Sequence, residues 1–174
     1  MLSKNTKIRN NIYIKIPRKY SVQYPNLKFF FYHLLESSLV YLSKKENFKM
    51  PLEISLSIVD ETTIKKINAQ YRNKNKATDV LSFSFIEGEK IPREKEQPTL
   101  LGDIVLCFPV ALKQSIENQH SLFYEFARLL VHGLYHLLGY DHERSKQEEK
   151  IMQKKEEKLL QYLLKIERIK NLVA

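Results

Sequence analysis

The chain has 174 residues, 43% hydrophobic and 28% charged, the balance of a globular protein expected to form one domain over residues 1–174. Its lone cysteine, Cys107, excludes an intrachain disulfide or a thiolate metal cluster and suits a reducing cytoplasm; no apolar run approaches the roughly 20 residues of a membrane span, and Lys4, Lys7 and Arg9 precede no apolar segment of a secretory signal. The formal net charge of +9, from 29 basic and 20 acidic residues, favours a polyanionic partner through its field and through counterion release.

Asn11 to Pro17 alternates Ile12, Ile14 and Ile16 and predicts a strand with one buried face. Leu27 to Lys44 is long and rich in apolar residues, and predicts a helix. Leu52 to Val59 alternates through Ile54, Leu56 and Ile58, a second strand. Asp60 is placed to cap a helix running through Ile64, Ile67 and Tyr71. Arg72 to Lys76 reads as a basic loop, and Asp79 to Phe85 as a third strand. Glu87 to Pro98, polar with two prolines, reads as a mobile loop. Leu101 to Phe108 predicts a fourth strand, and Pro109 suits the first turn of the helix after it. Ser121 to Leu138 is apolar nearly all round, so the helix it predicts is buried on most sides. Ser145 with Glu148 forms a capping box for the last helix, whose Lys/Glu-rich face is solvated. The expected fold is α+β: a small mixed four-stranded sheet covered by helices, with a metal site on a buried helix and the turn after it.

Three of the five histidines fall between His132 and His142. On a helix, His132 and His136 stand one turn apart on one face, with Cβ atoms about 5–6 Å apart, close enough for two imidazoles to grip one ion. Gly139 permits a left-handed residue that ends the helix, and the turn can bring His142 back over the same face. Three nitrogens leave a fourth tetrahedral position for water, the arrangement of a catalytic zinc site. Three imidazoles suit zinc, one ion per chain. The spacing is that of metzincin proteases, except that their general-base glutamate is replaced by Gly133. This predicts a metal-assisted hydrolase of another kind. Asp141 and Glu143 lie near the triad in sequence and Asp103 is a candidate support for a ligand, but the spacing names no general base.

Tyr71 to Phe83 joins a helix end to a strand. Arg72 offers a planar fork suited to phosphate oxygens, and Lys74 and Lys76 add point charge. Together the two stretches resemble the YbeY-type endoribonucleases, bacterial rRNA maturation factors. Val131 to His142 is similar to the family's triple-histidine motif almost throughout. Asn68 to Phe83 is similar to its Asn-x-x-Tyr-Arg-x-Lys…Thr-Asp-Val-Leu-Ser-Phe motif, and Leu101 to Ile104 to its Leu-Gly-Asp-Ile motif. The resemblance covers most of residues 52 to 160. The chain departs from the pattern at Asn75, Ala77 and Ser84, where the family usually has Asp, Pro and Pro.

The resemblance implies zinc ligands at His132, His136 and His142 and a functional arginine at Arg72. It implies cleavage of single-stranded RNA, 3′-end maturation of small-subunit (16S) rRNA and a part in ribosome quality control. The implied partners are the small ribosomal subunit, ribosomal proteins and an Era-type GTPase, with no membrane. Two other readings stay open at this level: a metalloprotease-like zinc hydrolase, and a non-catalytic rRNA-binding assembly factor whose zinc is structural.

Overall fold

The computed structural model describes residues 10–46, 51–86, 98–142 and 145–173. Lys4, Lys7, Arg9 and Glu143, and residues 87–97 of the polar loop, lie outside the described residues. Four strands form one mixed sheet: β1 (Asn11–Lys15), β2 (Leu52–Val59), β3 (Val80–Ser84) and β4 (Thr99–Cys107), in the order β1-β2-β4-β3. The first two pairings are parallel, and β3 runs antiparallel to β4. Parallel neighbours need a crossover. Between β1 and β2 it contains α1 (Arg18–Gln23) and α2 (Leu27–Lys45).

The alternation read in β2 separates two faces. Leu52, Ile54, Leu56 and Ile58 are buried in the main core, with Ile104 and Leu106 of β4. Against them packs α2, whose buried residues Leu27, Phe30, Phe31, Leu34, Leu35 and Leu39 recur at helical spacing. The helix α5 (Leu122–Leu137) shares that core and is buried nearly all round, as its composition requires. On the opposite face Leu81, Val105 and Cys107 meet Ile64 of α3 (Glu61–Arg72). Burial pushes the Cys107 thiol up to about 11, leaving an unreactive thiol.

Local signals behave as expected. The Asp60 carboxylate accepts from the Thr63 amide at 2.9 Å, Ser121 from Tyr124 at 3.1 Å, and Ser145 from Glu148 at 3.1 Å. These caps open α3, α5 and α6 (Lys146–Leu164), and Pro109 lies in the first turn of α4 (Phe108–Glu117). Two short helices were not anticipated: α1, and α7 (Glu167–Val173). Six and seven residues make under two turns, too few for a period to register. Tertiary contacts hold them, with Tyr20 stacked on Phe108 at 4.1 Å and Ile169 fully buried. Arg72, expected in a loop, is the last residue of α3.

The start of β4 carries a bulge: Glu53 pairs with Leu100 but Ile54 with Gly102, so Leu101 is extra. Gly102 sits at φ +143°, and a Cβ there would lie 2.1 Å from the Phe83 carbonyl oxygen. Only glycine fits where β3 closes on the bulge.

Candidate metal centre and basic cleft

A cleft of about 640 Å³ opens between the C-terminal end of α3, strand β3 and one stripe of α5. Arg72, Lys74, Lys76 and Arg128 line it together with all three histidines of the motif. One nitrogen from each of His132, His136 and His142 lies within 4.8 Å of the others, a group that could hold a metal ion. The Nε2 atoms of His132 and His136 face each other at 3.1 Å, and the His142 ring centroid is 5.2 Å from both neighbours.

The turn that delivers His142 follows from Gly139. The Gly139 amide donates to the His136 carbonyl and the Tyr140 amide to the Tyr135 carbonyl, with Gly139 at φ +85°. This is a Schellman end, which needs the left-handed residue that glycine adopts freely. Tyr140 is then pinned from outside the motif. Its hydroxyl donates to Glu46 at 3.0 Å, and Lys155 reaches the same carboxylate at 2.6 Å while lying over the Tyr140 ring. Two distant segments, the end of α2 and α6, therefore hold one turn.

A carboxylate that the sequence reading missed completes the group. Glu156 of α6 lies 2.8 Å from His132 Nδ1. A carboxylate accepts, so Nδ1 carries the proton and Nε2 turns its lone pair towards His136 and His142. Carboxylate–histidine pairs of this kind orient metal ligands. The donor set therefore fits a zinc ion: three imidazole nitrogens, one with its tautomer fixed, in a cleft open on one side. The only sequence signal for Glu156 was an acidic residue on a Lys/Glu-rich helix, one among several.

His136 is held neutral. Burial, reinforced by the neighbouring rings of His132 and His142, pushes its pKa down to about 4, against the pull of Asp141 and a hydrogen bond to the Tyr140 backbone. In chelator-treated protein the unfolded chain takes up this proton below its ordinary value of 6.5, while the folded chain takes it up only near 4. Stability should therefore fall as pH drops through that window, and be unaffected by this group above it. After allowance for solvent screening the loss is on the order of 1–2 kcal/mol. Urea unfolding at about pH 7 and about pH 4.5 reads it, and His136→Gln should reduce the acid-induced part. Equal acid sensitivity in both proteins would count against the neutral, buried ring.

The remaining candidates sort by position. Arg72 is exposed at the cleft rim. The loop after it is pinned by Asn68, whose buried amide donates to the Lys76 carbonyl at 2.8 Å and whose own carbonyl accepts from Lys74. Asn73 makes the turn in the left-handed region. Asp79 also lines the cleft. Burial raises its pKa, but hydrogen bonds from Gln114, the Val80 amide and Thr78 outweigh that and hold the carboxyl below the usual range. Its oxygens are occupied in holding the loop to α4. Asp103, expected as support for a ligand, instead accepts from Ser55 across the sheet. It alternates with Ile104, which faces α5, and so lies on the opposite face from the histidines. Asp141 lines the cleft.

Gly133 explains why a protease base is absent. A Cβ there would lie 2.9 Å from Ser82 Oγ and 3.2 Å from Ile104 Cδ1. The helix presses on the sheet where metzincins carry glutamate, so any side chain there would have to displace Ser82 and Ile104. Ser84, where the resemblance leads one to expect proline, donates to the Leu137 carbonyl at 2.8 Å and ties β3 to the end of α5.

The fold and the site define an α+β protein with a three-histidine centre in a basic cleft. Residues 19–164 match the family profile described as endoribonuclease YbeY, and the chain belongs to that family. It is 44% identical over 130 residues to endoribonuclease YbeY of Desulforamulus reducens, covering 75% of this chain and 84% of that one. It is 45% identical over 122 residues to the protein of the same name in Buchnera aphidicola, covering 70% and 72%. The solution structure of TM1509 from Thermotoga maritima is similar in fold, with a TM-score of 0.54 at 24% identity over 92% of this chain and 90% of that one. No described helix is long and apolar enough to cross a membrane.

Proposed function

We propose that residues 1–174 act as one domain, a zinc-dependent endoribonuclease that cuts single-stranded RNA in 3′-end maturation of small-subunit rRNA and in ribosome quality control. The observation that carries this reading is the convergence, in one cleft, of three ring nitrogens within 4.8 Å and the cationic Arg72, Lys74 and Lys76. His132, His136 and His142 would hold one zinc ion, which supplies a Lewis acid for a phosphate oxygen or for water. Glu156 keeps the proton on His132 Nδ1 and so keeps Nε2 available. Arg72 binds the substrate phosphate and stabilises the charge that develops on it. Lys74 and Lys76 attract the strand. A single strand can be drawn into the cleft, whereas duplex geometry restricts access to its phosphodiesters. The working site is cytoplasmic, on the small subunit, with ribosomal proteins and an Era-type GTPase as partners.

Arg72→Ala should keep its zinc and its fold and lose on the order of 10²-fold in cleavage of single-stranded RNA. Arg72→Lys should recover little, because an ammonium lacks the planar fork. Wild-type rates in Arg72→Ala, or equal cleavage of matched single-stranded and duplex RNA, would reject the reading.

A further inference from the structure

Arg128 has no part in the motifs that led to the site. It lies at the same cleft, on α5, one turn before His132 and two before His136, so the three share one stripe. Its guanidinium is held from behind. Nε donates to both oxygens of Glu125 at 3.2 Å, and Nη2 donates to Oε1. Glu125 is fully buried, and its other oxygen lies 2.9 Å from His120 Nε2. A buried carboxylate needs such partners. That need alone explains a buried arginine, but the Arg128 side chain is 45% exposed. Nη1 takes no part in the pairing with Glu125. A guanidinium anchored on one edge and open on the other is preorganised for a phosphate.

We propose that Arg128 is a second RNA-phosphate contact. It binds the backbone phosphate next to the one at the histidines, with Glu125 and His120 as positioning residues behind it. One helical turn, about 5.4 Å, separates it along α5 from His132. RNA would then lie along the α5 stripe, with Arg72 gripping from the opposite wall. The inference rests on the endoribonuclease reading.

The test is RNA affinity across a salt series, with single-stranded RNA as the probe. Arg128→Gln should keep its zinc, weaken binding several-fold and raise KM more than it lowers kcat. The slope of log affinity against log salt should shrink in magnitude by about 0.7, the contribution of one phosphate contact on a single strand. Arg128→Lys should keep the wild-type slope. Should Arg128→Gln fail to fold because Glu125 is left unpaired, the double variant Glu125→Gln/Arg128→Gln removes the buried charge as well, and its slope is read instead. An unchanged slope in that double variant would make Arg128 a counterion for Glu125 and overturn the inference, leaving the endoribonuclease reading standing. Wild-type protein that neither binds nor cuts RNA would overturn both.

Discussion

Replacing His136 with alanine should strip the protein of metal and of cleavage together. His136 packs against both other histidines and is the ring that burial holds neutral down to a pH of about 4, so it is ready to coordinate without first losing a proton. Removing it leaves two imidazoles, which do not make a zinc site of useful affinity. Zinc content should drop from about one ion per chain to a small fraction of that. The stabilisation that added zinc gives the wild type, about 2.7 kcal/mol at a hundredfold excess over Kd, should vanish with it. At this chain length that corresponds to roughly 5–11 °C in Tm. Glu156→Gln should be milder: it leaves three ligands but loosens His132, for a loss of about 10–100-fold in zinc affinity. Elemental analysis and melting with and without added zinc read both variants. Full zinc occupancy in His136→Ala would remove the metal assignment. A zinc-replete wild type that binds pre-rRNA and never cuts it would point to the assembly-factor reading, with structural zinc.

Gly102→Ala should be the most damaging added methyl among the described glycines. Two penalties act at one position. The backbone sits at φ +143°, where an L side chain is strained, and the new Cβ would lie 2.1 Å from a carbonyl oxygen that cannot rotate away. Backbone strain and overpacking together give an expected loss of about 3–5 kcal/mol. The damage would reach the site through short steps. Gly102 pairs with Ser84, and Ser84 holds the carbonyl of Leu137, next to His136. Zinc affinity should therefore fall along with stability. Urea unfolding compares the two proteins, and a difference under about 1 kcal/mol would show that the bulge can relax. Gly139→Ala differs in kind: nothing lies within 4 Å of its Cβ, so only the left-handed conformation at φ +85° resists the change.

Much of this molecule is local, and local features are legible in a sequence. The alternation in β2 marks a sheet face because side chains on a strand point alternately up and down. The caps at Asp60, Ser121 and Ser145 are contacts over three residues. The histidine triad spans eleven residues on one helix and one glycine turn, so helical geometry alone brings His132 to His136. Arg72 took its role from the resemblance, since a basic loop by itself has no address.

What the tertiary structure decided lies across longer distances. Glu156 reaches His132 over 24 residues, and Lys155 and Tyr140 meet at Glu46 over 109 and 94. No period in the chain encodes such pairings; they follow from how α6 and the end of α2 pack around α5. Asp103 read in sequence as a candidate support for a ligand, and only its pairing with β2 and its bond from Ser55 show that it lies on the other face of the sheet. Gly133 and Gly102 read in sequence as a missing base and a motif letter. In the fold both mark close approaches, of α5 to the Ser82 and Ile104 side chains and of β4 to the Phe83 carbonyl. Arg128 needed the structure most, because a cation's use depends on what anchors it and on what it faces. The sequence by itself therefore determined the longer elements, their caps and the grouping of three histidine nitrogens that could hold a metal ion, all products of bonded geometry over one or two turns. The supports that aim those nitrogens, and the charges that surround them, come from packing between segments far apart in the chain.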